Sequence, residues 1–102
     1  MRAMNEQTIA AQALLKLTNE WVERTAQTVH ALVHSGEDIQ GVRDAIIFCC
    51  GTFVGQLCAL HIPLEAVDAA AAHFFHSCEQ AMRTHLPSYE PQTPWPRMSR
   101  LN

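Results

Sequence analysis

The sequence predicts an all-α protein: three long helices in an up-down-up antiparallel array, completed by association between copies and followed by an extended, proline-rich C-terminal tail. Three observations carry this expectation. Apolar residues recur at three- and four-residue steps through most of the chain. Gly36 and Pro63 interrupt that rhythm at helix-length intervals. Sustained apolar–polar alternation and Asn-Gly or Asp-Gly hairpin pairs are both missing, so nothing signals a strand.

The first helix is expected over about residues 5–34. Leu14, Leu17, Trp21, Thr28 and Leu32 form an apolar row, flanked by Leu15, Val22, Val29 and Val33, while Lys16, Asn19, Glu20, Glu23, Arg24 and Gln27 fall opposite. Gly36 then suits a left-handed C-terminal position. Ser35 followed three residues later by Asp38 resembles a capping box, with Asp in place of Glu or Gln.

A second helix is expected over 38–61, stopped by Pro63, and a third over 63–86, stopped by Pro87. The third carries Leu64, Val67, Ala71, Phe74, Cys78 and Ala81 or Met82 as its apolar stripe. Short connections make successive helices antiparallel neighbours. Residues 1–86 form the single expected domain, because 102 residues support one core and not two. Residues 87–102 are expected to be extended or disordered, given their prolines.

Composition narrows the function. Only 17% of residues are charged, against about 25% in an ordinary soluble domain, which leaves little charge to cover a monomer. Association with another chain follows. The net charge is -3 and the seven Lys and Arg form no block, which argues against nucleic acid as a partner. Glu6, Lys16, Glu20 and Glu23 precede any long apolar run, unlike a cleaved signal peptide, and the expected setting is cytoplasmic.

Residues 45–64 contain no Asp, Glu, Lys or Arg, enough to span a bilayer core. A membrane span ranks below a central bundle helix, because Thr52, Gln56 and His61 interrupt it and no basic cluster marks a cytoplasmic end. Within it Gly51, Gly55 and Ala59 line one edge. Helical glycine costs about 1 kcal/mol relative to alanine, so close packing is the expected return, against the alanines of 69–72 or a second copy. Phe53, Ala71 and Phe74 complete the expected helix-packing set. Cys49, Cys50, Cys58 and Cys78 include no C-x-x-C pair and read as small core residues.

The histidines suggest a second class of function. His30 and His34 are four apart on one helix face, a spacing that can grip a metal ion, and His73 and His76 are three apart. At about 1.5 Å per residue those two pairs lie roughly 10 Å or more apart in height, whereas His85 is nearly level with the first pair. A plainer role for His34, His61 and His85 is to sit near negative helix C-termini. No cofactor is required by any motif.

No nucleophile elbow, phosphate-binding loop, HExxH or Glu-x-x-His pattern is present, so no catalytic residue and no enzymatic activity are expected. In the tail, Pro91 and Pro94 in PxxP spacing beside Trp95 and Arg97 offer a partner-binding motif. The alternative is that Trp95 folds back on the bundle. The leading expectation is a small non-enzymatic interaction protein, an adaptor, regulator or inhibitor that binds a larger protein and itself. A metal- or small-ligand-binding bundle using His30, His34 and His85 is the alternative, and a membrane protein spanning at 45–64 the third.

Overall fold

The computed structural model describes residues 2–86, Tyr89 and Trp95, with side chains from residue 11 onward. Three helices account for it: α1 (Arg2–His34), α2 (Ile39–Ala59) and α3 (Leu64–His85), with no strand among the described residues. Each helix packs on the other two. At about 1.5 Å rise per residue, α1 spans about 50 Å, which accounts for the long dimension of 51 Å.

The core is read directly from helical spacing. On α2, Val42, Ile46, Cys50, Phe53 and Leu57 fall three or four residues apart and are fully buried, with Val54 beside them. Val67, Ala71, Phe74, Cys78 and Met82 make the facing stripe of α3. Phe53 and Phe74 stack across the α2–α3 seam with ring centroids 5.6 Å apart.

Two positions in the expected stripes point outward: Leu15 and Leu64 are 62% and 63% exposed. The most buried positions of α1 are Thr18, Thr25 and Val29, and the expected Leu14, Leu17, Trp21, Val22, Leu32 and Val33 pack half-buried against the core beside them. Thr18 tolerates burial because its hydroxyl donates to the Leu14 carbonyl at 2.6 Å.

Both connections are built from helix-terminal hydrogen bonds. After α1, Gly36 takes φ +89, and the amides of Gly36 and Glu37 donate to the carbonyls of Val33 and Leu32, the paired bonds of a Schellman motif. Asp38 is the N-cap of α2, its carboxylate accepting from the Gly41 amide at 2.7 Å. This corrects the capping-box expectation: Ser35 donates back to Leu32 and caps nothing forward, so the cap lies one turn later. His61 ends α2 with φ +59, and the amides of His61 and Ile62 donate to Cys58 and Leu57. The same turn is thus made without glycine. Burial of Ile62 against the bundle supplies the hydrophobic contact that accompanies it.

Candidate functional site

Three features stand out from the helical frame: an outer face of α2 without charge from Phe48 onward, a polar latch against Arg43, and a histidine cluster at one end.

Burying one side of α2 leaves the opposite side outward, and beyond Asp44, exposed one turn before Phe48, the sequence supplies no charge for it. Phe48 is 77% exposed, and Thr52, Gly55, Cys58 and Ala59 are exposed with it. A Cβ added at Gly55 would meet nothing within 4 Å, so this glycine is not making room for α3. The small-residue edge therefore divides: Gly55 and Ala59 face outward and Gly51 is half-buried, while Phe53, Ala71 and Phe74 face the core. Gln56 is explained by α1, since its side-chain oxygen accepts from the Trp21 indole at 2.9 Å. By length and composition α2 is the candidate membrane-crossing helix among the described residues, and 39% of its apolar window is buried inside the bundle.

Cysteine burial follows the same division. Cys50 and Cys78 are buried, and both thiols are pushed up to about 12, first by desolvation and then by neighbouring groups, Cys49 among them. Cys49 is intermediate. Cys58 is exposed, correcting its expected place in the core: it falls one residue past Leu57 and so leaves the buried face.

Arg43 is charged and yet only 8% exposed. Its guanidinium lies 4.0 Å from the centre of the Trp95 ring and 3.8 Å from Glu79 Oε1, and Nη1 donates to the Tyr89 hydroxyl at 3.3 Å. Glu79 Oε1 accepts from the Tyr89 hydroxyl and from the Trp95 indole, each at 2.8 Å. Trp95 also stacks on Phe75 with centroids 4.8 Å apart and planes 7° off parallel. Burial raises the Tyr89 phenol above its ordinary value, and its hydrogen bond to Glu79 adds to the rise. Trp95 is thus engaged on the bundle. Pro91, Pro94 and Arg97, the other members of the expected binding motif, lie outside the described residues.

Sequence reasoning did not connect Arg43 with Glu79, 36 residues on. One signal was available: Glu79 follows Cys78 on the inner side of α3, where a carboxylate needs a partner.

At the opposite end of α1 from its start, His30 and His34 meet His85. Ring centroids are 4.2 Å apart for His30–His34, 4.7 Å for His30–His85 and 5.9 Å for His34–His85. His30 and His34 are exposed and His85 half-buried. The His30 imidazole is held below its ordinary value, first by desolvation and then by His34 and His85. His73 and His76 stand elsewhere on α3 and are exposed. His73 edges a separate groove of about 430 Å³, walled mainly by Leu14, Leu15, Ala66, Ala69 and Ala70. In comparisons with family models, curated proteins and solved structures, no family model matches the chain and nothing significantly similar to it is found.

Proposed function

We propose that this chain is a small, non-enzymatic interaction module, an adaptor, regulator or inhibitor that binds a larger protein, and that it first pairs with a second copy of itself through α2. The observation that carries the reading is the outer face of α2 beyond Asp44, where Phe48, Thr52, Gly55, Cys58 and Ala59 are exposed without one charge among them. A helix lying on a water-facing surface ordinarily places its charged residues there. Small residues at 55 and 59 let a second helix approach closely, and Phe48 supplies the large apolar anchor beside them. A two-fold pairing of identical faces uses each feature twice.

Light scattering coupled to size exclusion, on untagged protein without detergent, tests this. A dimer or larger species is expected, and Phe48→Glu, a change at a 77% exposed position, should give a folded monomer with unaltered helical circular dichroism. A wild-type chain that stays monomeric at hundreds of micromolar would sink the proposal, and recovery in detergent alone would favour a bilayer as the cover of α2.

A further inference from the structure

We propose that His30, His34 and His85 form a binding site for a divalent transition-metal cation of the zinc class, joining the C-terminal ends of α1 and α3. The site goes beyond self-association and uses no residue of α2, so the two readings stand or fall separately.

Convergence is the first argument. One ligating nitrogen from each ring lies within 4.8 Å of one on each of the others. Tetrahedral zinc with bonds of about 2.0–2.1 Å places its ligand atoms about 3.3 Å apart. Each pair therefore closes by at most about 1.5 Å, within reach of small rotations about side-chain torsions at surface positions. The backbone already does the larger part: residues four apart share a helix face, and an up-down-up array ends α1 and α3 at the same side.

The chemistry of the set is the second. Imidazole suits zinc, copper, nickel and cobalt, whereas calcium and magnesium take oxygen ligands, and no carboxylate belongs to this group. Both contributing helices end here, and their partial negative charge favours a cation. Three imidazoles leave a fourth tetrahedral position open to water or an outside ligand.

Competing explanations account for less. Core packing does not demand these residues, since two of the three are exposed. Charge complementarity with a helix end explains a histidine near the end of each helix, but not the convergence of two rings from α1 and one from α3 at centroid distances of 4.2–5.9 Å.

Titration of the untagged, chelator-stripped full chain with Zn²⁺, followed by calorimetry, tests the site, with Co²⁺ absorption reporting the geometry. Expected are one ion per chain, a Tm that rises with Zn²⁺, and binding at least tenfold weaker in each of His30→Ala, His34→Ala and His85→Ala. His73→Ala, His76→Ala and Cys58→Ser should bind as the wild type does. Gln replaces Ala at any of the three positions where circular dichroism shows lost helix. Absence of saturable binding up to 1 mM, wild-type affinity in His85→Ala, or one ion per two chains would each overturn the proposal.

Discussion

At the scale of single residues, burial decides which groups can react. Cys58 is exposed on α2, while Cys50 and Cys78 are buried with thiols pushed up to about 12 from an ordinary 9.0. The thiolate is the reacting species, so at pH 8 the buried pair holds roughly one part in ten thousand in reactive form. Labelling with an aromatic disulfide reagent at that pH is expected to modify Cys58 at once, and Cys50 and Cys78 only as the chain unfolds. Fast reaction at all four cysteines would show that the bundle opens readily. The same shifts set an alkaline limit. An unfolded thiol loses its proton near 9 and a folded one near 12, so between these values the unfolded state binds fewer protons and stability falls as pH rises.

At the scale of elements, the three helices were legible because apolar periodicity and helix-stopping residues agree. Expected bounds of 5–34, 38–61 and 63–86 stand beside Arg2–His34, Ile39–Ala59 and Leu64–His85. Residue type misled where burial does not follow hydrophobicity. Thr25 stands outside the expected apolar row yet is fully buried, and its hydroxyl has no hydrogen-bond partner among the described residues. Leu15, on the flank of the expected apolar row, lies outside. The Arg43–Glu79 pairing was hidden for another reason: it joins different helices and is completed by Tyr89 and Trp95, and no periodicity encodes such a contact. That pairing makes a sharp prediction. Glu79→Ala leaves a buried guanidinium without this carboxylate and removes the acceptor of Tyr89 and Trp95, an expected loss of about 3 kcal/mol. Urea unfolding measures it, and Trp95 emission should shift to the red as its ring leaves Phe75. A loss under 0.5 kcal/mol would mean that the latch is not closed in solution.

At the scale of the whole molecule, a bundle with few charges and an outer helix face that carries none from Phe48 onward tests whether stability and association are separable. Gly55 is the position that separates them. In a single chain its added Cβ enters open space, and replacing a helical glycine by alanine contributes about 1 kcal/mol. Gly55→Ala should therefore raise Tm by about 4–8 °C in dilute solution, where copies are apart. In the proposed pairing of copies the same methyl would stand where two helix backbones approach, and it should weaken that pairing even as each chain becomes more stable. The expected outcome is opposite signs: higher Tm at low micromolar concentration, and a dissociation constant at least tenfold larger by sedimentation. Equal pairing in Gly55→Ala and wild type would remove this edge from the interface and leave Phe48 as its remaining anchor. A lower Tm in dilute solution would show that Gly55 is already packed against something in the single chain.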